Sequence, residues 1–457
     1  MEQLPDDVLV MAMQFLDVPD LLACRLVCKR LGVLALHRDA WRHRRLGDAR
    51  RECVCPVLRL APCLAVLRVS LPPARCPAEA FPASKCAVTE LKISAQYDSG
   101  VYQAEALIRR QEQLGRLQRL DLSEMFADSE TVFVLLENLA AMRGLESLAL
   151  SILTKPPGIV SYSVPAPSLR EFRCNLRADL ATFVDSILAG HAATLRAVHL
   201  LPRVGRPIPN PRPLESRTAA RLAALPNLCE LSCDSLPGIE AVAACESLRE
   251  LAIVVRTHEQ QTAAAEGAAE LFRRSGHLRR VELVYVDLDD AGADVVLAPA
   301  LAACGRSGVE TLVIKPWARP FPLRPLVSAL PRLRALRHLQ LDVQPAALLH
   351  AIRPATAPAL RTVDLGALRS VCAHAWIHGK AVRAVMAANP ALHIRFAPVK
   401  AYCARNSCAS ACVLRCHGQE LRDLATPGAQ VGLYSHDPDD RCSRTHATDC
   451  LWIRVPL

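Results

Sequence analysis

"LQRLDLSEM", residues 117–125, places apolar side chains at its first, fourth and sixth positions and polar ones between them. Successive side chains of a strand point to opposite faces, so this alternation reads as a short, half-buried strand. The stretch recurs. Upstream it appears as "LAVLRV" at 64 and "VTELKI" at 88. Downstream come "LESLAL" at 145, "LREFRC" at 169, "LRAVHL" at 195, "LCELSC" at 228 and "LRELAI" at 248. "LRRVEL" at 278, "VETLVI" at 309, "LRHLQL" at 336, "LRTVDL" at 360 and a weaker "ALHIRF" at 391 complete thirteen copies, whose starts lie 20 to 33 residues apart.

The segments between copies carry a helical period. Val132, Leu135, Leu136 and Leu139 fall at i, i+3, i+4 and i+7. Leu180, Phe183, Val184 and Ile187 repeat that spacing, as do Leu323, Leu326, Val327 and Leu330. A strand followed by an amphipathic helix cannot bury its apolar side alone, so stability must come from stacking neighbours. Residues 64–398 resemble the leucine-rich-repeat family, which implies an α/β solenoid of horseshoe form. Its usual Asn or Cys at the ninth position is replaced by Met125, Leu153, Arg177, Arg256 and Val286. Irregular loops and uneven curvature are therefore expected.

In each copy the fourth and sixth side chains point inward, which leaves the third, fifth and seventh on the concave face. These positions hold Arg119, Asp121, Glu171, Arg173, Glu230, Arg280, Glu282, His338 and Asp342. Glu90, Lys92, His199, Glu250, Lys315 and Asp364 lie in equivalent places. The face is of mixed sign and poor in aromatics. It reads as a surface for a target protein, with a plain solvated sheet face as the alternative at any one residue.

Before the repeats, "LPDDVLVMAMQFL" at 4–16 is apolar almost throughout from Val8 to Leu16. A helix apolar on all sides needs cover on more than one side. Pro5, Asp6 and Asp7 suit its first turn, because proline lacks an N–H and carboxylates favour the positive end. Asp17 and Pro19 open a second helix that closes at Lys29 and Arg30, and "LGVLAL" leads to Trp41 as a third. A unit this small cannot cover its own apolar surface, so another protein is the simplest cover.

The line "LPDDVLVMAMQFLDVPDLLACRLVCKRLGVLALHRDAW", residues 4–41, resembles the F-box motif from its opening "LP" to its terminal Trp. Leu31 departs from the aromatic residue usual after "VCKR". The resemblance implies a three-helix F-box over residues 1–46 that docks on the Skp adaptor, and through it on a cullin and a RING subunit. By position, Leu4, Pro5, Val8, Leu9, Leu21, Leu22, Val27, Cys28 and Trp41 would supply the adaptor contact and the packing behind it. Residues 47–63 would follow as a linker. Their neighbourhood, "RHRRLGDARRECVCPVLRLAPC" at 42–63, reads as a solvated helix or, alternatively, a nuclear signal.

Residues 399–457 read as a cysteine-rich cap. Cys408, Cys412 and Cys416 lie four apart beside His417, followed by His436, Cys442, His446 and Cys450. Buried cap cysteines are the plainer reading and a structural zinc site the alternative; no metal or other cofactor is expected. "DLDDAGAD" at 287–294 imitates a calcium loop but has alanines at ligand positions, which favours a turn. No phosphate-cradling glycine loop, zinc-protease helix or nucleophile elbow occurs, so no enzyme is expected.

The net charge is +10, yet only seven of the 55 basic residues are Lys, aromatics are 4% and the Arg residues are spread evenly. Nucleic acid is therefore not an expected partner. No apolar run reaches the length of a membrane span and "MEQLPDD" is no secretory leader. A cytoplasmic or nuclear protein without a membrane partner is expected. The leading function is the substrate receptor of a Skp–cullin–F-box ubiquitin ligase; the rivals are a leucine-rich-repeat binding or inhibitor module uncoupled from ubiquitylation and a metal-dependent activity of the C-terminal segment.

Overall fold

The computed structural model describes residues 4–47, 53–72, 77–126, 128–152, 162–201, 217–256, 262–286, 297–316, 321–342, 346–368, 376–398, 430–437 and 450–455. The chain divides into two compact units, Met1–Leu228 and Cys229–Leu457.

The first unit opens with four short helices rather than three: α1 (Asp6–Met13), α2 (Val18–Cys24), α3 (Lys29–Leu34) and α4 (Arg38–Trp41). The fourth arises because His37 is extended and its Nδ1 accepts the Asp39 N–H at 3.3 Å, which starts a new turn. The stretch read as a solvated helix holds two packed elements instead. Strand β1 (Arg45–Leu46) pairs with β2 (Cys63–Leu71), and α5 (Cys55–Leu60) buries Cys55, Val57 and Leu58.

Then follow β3 (Ala87–Gln96), α6 (Tyr97–Gln113), β4 (Arg119–Phe126), α7 (Ser129–Ala141), β5 (Ser147–Ile152) and β6 (Glu171–Cys174). The unit continues with α8 (Ala181–Gly190), β7 (Ala197–His199) and α9 (Thr218–Ala223). Strands β1 to β7 are parallel and adjacent in chain order. Register aligns Leu67, Leu91, Leu120, Leu148, Phe172 and Val198 in one row, and none is more than 1% exposed. That row is the period of the sequence converted into a continuous core. Truncating one such leucine to alanine removes roughly 2–5 kcal/mol, because a close-packed row cannot collapse around the gap.

The second unit contains β8 (Glu230–Asp234), β9 (Glu250–Arg256), α10 (Thr262–Arg274), β10 (Arg280–Val286), α11 (Ala298–Ala303) and β11 (Thr311–Pro316). It proceeds through α12 (Leu323–Ala329), β12 (His338–Leu341), α13 (Ala346–Ala351), β13 (Thr362–Leu368), α14 (Lys380–Ala388) and β14 (His393–Pro398). Its apolar row is Leu231, Leu251, Val281, Leu312, Leu339, Val363 and Ile394. Strand β15 (Gln430–Tyr434) pairs antiparallel with β14, and β16 (Cys450–Arg454) parallel with β15. Gly432 is required there, since a Cβ would stand 2.4 Å from the Trp452 ring.

The missing asparagine ladder is replaced case by case. Met125 and Val286 are buried apolar plugs, and Arg256 is 5% exposed beside Asp234. Asn175, two places earlier than the family position, spans to the preceding repeat. Its Nδ2 donates to the Ile152 carbonyl at 3.1 Å and its Oδ1 accepts the Ile152 N–H at 3.4 Å. The repeats of both units are thus of the leucine-rich-repeat type, with strand order following chain order.

Candidate protein-interaction surfaces

The N-terminal helices answer the question that their sequence raised. On α1, Leu9, Val10 and Met13 face inward and are buried. Leu4, Val8, Met11 and Phe15 fall at i, i+4, i+7 and i+11, the spacing of one helical stripe, and all four are exposed, Phe15 at 87%. Leu26, Val27 and Val33 are exposed as well, at 82%, 68% and 73%.

The packing beneath is specific. The Trp41 ring is fully buried and its Nε1 donates to the Ala35 carbonyl at 2.7 Å. Arg44 stands 5.8 Å from the centre of that ring, and its guanidinium donates to the Met13 carbonyl at 2.6 Å and to the Leu16 carbonyl. It thereby satisfies carbonyls that the end of α1 leaves open. Arg30 donates to Asp6 at 2.8 Å and to the Leu4 carbonyl, which fastens α3 to the start of α1. Asp17 caps α2 by accepting the Asp20 N–H at 2.8 Å.

The expected adaptor set therefore splits. Leu4, Pro5, Val8, Val27 and Cys28 are exposed, and Leu22 is half-buried. Leu9, Leu21 and Trp41 are buried, at 6%, 0% and 0% exposure. These three therefore fall to the packing side of the expected set, holding the helices together under the surface. Met11, Phe15, Leu26 and Val33 are also exposed and were not in the expected set. For Met11 and Phe15 the signal was present, because they continue the stripe begun by Leu4 and Val8.

The outward strand face is built differently. In the first unit Glu90, Arg119, Ser147 and Glu171 lie side by side in one row, and Lys92, Asp121, Ala149, Arg173 and His199 in the next. The charges are satisfied locally. Glu90 meets Lys92 at 2.8 Å and Arg119 at 3.2 Å. Glu171 accepts from Arg173 at 2.7 Å and from Ser147 at 3.1 Å. Burial opposes ionisation of both glutamates, but the hydrogen bonds and charge of these neighbours outweigh it and hold both carboxyls below the usual range. Burial, reinforced by Arg173, pushes the His199 imidazole down to about 4, so it is neutral at pH 7.

In the second unit Glu230, Glu250, Arg280, Thr311, His338, Thr362 and His393 share a row. The adjacent row includes Glu282, Gln340, Asp364 and Arg395. Lys315 reaches Glu282 at 2.6 Å. Asp364 accepts from Arg395 through both carboxylate oxygens, at 2.6 Å for Nε, while His338 Nε2 lies 3.2 Å away. Burial raises the Asp364 pKa, yet His338 and Arg395 prevail and leave it below the ordinary carboxylate value. Asp342 lies just past the end of β12, with its N–H donated to the Ile314 carbonyl at 3.2 Å. Arg395 was missed, although it stands at the fifth position of the last copy.

Cys408, Cys412, Cys416, His417, Cys442 and His446, and the stretch at 287–294, lie outside the described residues. Among the described residues no group of three metal-binding side chains occurs, and no helix is long and apolar enough to cross a membrane. Burial pushes the Cys86 and Cys174 thiols up to about 12, which keeps them protonated and unreactive.

Comparison with known proteins bears on the N-terminal helices. Residues 1–46 match the family model described as F-box-like. No curated protein matches the chain. A solved structure described as "Crystal structure of TLR13-ssRNA13 complex" is similar at 15% identity and a TM-score of 0.29, over 71% of this chain and 48% of that one. The chain thus spans about half the length of that protein. The chain joins an F-box-like segment at residues 1–46 to repeats of the leucine-rich-repeat type.

Proposed function

We propose that this chain is the substrate-recognition subunit of a Skp–cullin–F-box ubiquitin ligase, acting in the cytoplasm or nucleus. The helices of residues 4–41 bind the Skp adaptor, which brings the cullin and RING subunits, and the repeats hold a target protein. The chain supplies no catalytic group in this reading; acceleration comes from holding target and ubiquitin donor together.

The carrying observation is the placing of exposed apolar side chains. Of the ten large apolar residues exposed among the described residues, seven lie in residues 4–33: Leu4, Val8, Met11, Phe15, Leu26, Val27 and Val33. Apolar surface gathered in one short segment marks an interface, and the F-box-like match supports a Skp adaptor as its partner. The test is capture of purified Skp adaptor by the full-length chain beside Phe15→Ala and Leu26→Ala variants. Each truncation is expected to weaken binding by about 2 kcal/mol, roughly thirtyfold. A folded parent chain that captures no adaptor would refute the ligase reading and leave a binding module.

A further inference from the structure

The remaining three exposed large apolar side chains, Tyr97, Tyr102 and Phe126, are all aromatic and share one edge of the first unit. Tyr97 opens α6 directly after β3, and Phe126 ends β4 opposite Gln96. The Tyr102 hydroxyl accepts from Thr131 Oγ1 of α7 at 3.2 Å. The Asp128 N–H donates to Asp98 Oδ1 at 2.6 Å, so the starts of α6 and α7 are tied together. Gly100 sits so close beneath that a Cβ would stand 2.7 Å from the Leu71 carbonyl oxygen.

Strict alternation would bury two of these rings. Leu91, Ile93 and Ala95 face inward, and the next residue of that parity is Tyr97. Leu120 and Leu122 face inward, and the parity runs on to Phe126. Instead Tyr97 has φ +63° and Glu124 has φ +53°, the two non-glycine residues with positive φ among those described. The register of β3 on β4 slips after Ser94, and that of β4 on β5 after Leu122. The slip buries Met125 and turns Phe126 outward, 46% exposed; the left-handed turn leaves Tyr97 71% exposed. Side chains other than glycine rarely adopt such backbone, so the outward aromatics are held against a local penalty.

The charged residues nearest them in sequence are acidic. Residues 93–108 and 120–142 contain seven carboxylates and no Lys or Arg, in a chain of net charge +10. Asp98, Glu124, Asp128 and Glu130 are exposed on this edge. Hydrogen bonds from Thr131 keep Asp128 below the ordinary carboxylate range, so it is ionised at neutral pH. Aromatic faces beside carboxylates attract guanidinium and ammonium groups and repel phosphates.

We propose that this edge docks a basic, extended segment of a partner protein, its Arg or Lys side chains lying over Tyr97, Tyr102 and Phe126 and meeting Asp98, Glu124 and Asp128. The inference rests on the target-binding role proposed for the repeats and names the chemistry of the target. Fluorescein-labelled random peptides of Arg, Lys, Leu, Pro and Ser are the probe, against a pool with Asp and Glu in place of Arg and Lys. Anisotropy is read with the full-length chain at low and high salt.

The basic pool is expected to bind, to weaken with salt, and to bind at least about tenfold less to a Tyr97→Gly, Phe126→Ala double variant. Glycine takes the Tyr97 conformation without strain, so loss of binding is not loss of fold. Adaptor capture by this variant is expected to match the parent. Equal binding of both pools, no binding, or an unchanged double variant overturns the proposal. A dimer of the parent that the double variant abolishes also overturns it and assigns the edge to a second copy. Failure of adaptor capture alone, with peptide binding intact, refutes the ligase reading and leaves this edge standing.

Discussion

On the N-terminal helices, Phe15, Leu26 and Val33 turn outward apolar surface that nothing among the described residues covers. On the strands of the repeats, the outward side chains are mostly charged and already held by neighbours, as Glu90 is by Lys92 and Arg119. The first surface gains by being covered, because burial of apolar area is favourable at about 25 cal/mol per Å². The second gains little, since a partner must displace ion pairs that are already made. A docking surface is thus recognised less by its polarity than by what remains unsatisfied on it. The edge at Tyr97 and Phe126 belongs with the helices in this respect, although it is built on the strands.

The sharpest break between display and support comes on the helices themselves. Trp41→Ala empties a fully buried site and removes the hydrogen bond to the Ala35 carbonyl. It is expected to destabilise α1 to α4 by about 3–5 kcal/mol. Phe15→Ala is expected to alter stability by less than about 0.5 kcal/mol, because that ring touches solvent. Hydrogen exchange of the amides in residues 6–41 reads both. Equal protection in the two variants would place Trp41 on the surface with Phe15 and erase the distinction.

A smaller effect probes the best-held charge of the strand face. Asp364→Ala leaves the half-buried Arg395 guanidinium without its carboxylate and is expected to lower local stability by about 2 kcal/mol. The pH dependence has a definite sign. The folded pKa of Asp364 lies below its ordinary value of 3.8, so its contribution is present above that value and vanishes as pH falls through the folded pKa. Amide protection in β13 and β14 should therefore decline below about pH 4 in the parent and less steeply in Asp364→Asn. Parallel curves would mean that the Arg395 pair contributes nothing.

What could be read from the sequence follows from the range of the interactions. The rows through Leu120 and Val281 were legible because a period-two pattern recurring every 20 to 33 residues admits few other folds. The F-box resemblance was legible because its signature is local. The fourth helix and β1 were not: one is a single turn and the other two residues long, too short for any period. Which of the apolar residues Leu9 and Phe15 faces solvent depends on how four helices pack. The pairing of Asp364 with Arg395 joins residues 31 apart and needs the strand register. Positive φ at Tyr97 and Glu124 has no sequence signature, since glycine is what that conformation ordinarily selects.

The smallest effect is expected where the strand face is most ordinary. Arg173 is half-exposed and pairs with Glu171 two residues earlier on the same strand, at 2.7 Å. Exposed pairs of this kind contribute about 0–1 kcal/mol, because salt screens them and two long side chains lose freedom in forming them. Arg173→Ala should therefore leave the melting temperature within about a degree of the parent, and high salt should remove even that difference. A larger loss would show that Arg173 supports the face rather than merely standing on it. In that case the self-paired charges would be structural, and a target would have to dock where the pairing is absent, on the aromatic edge.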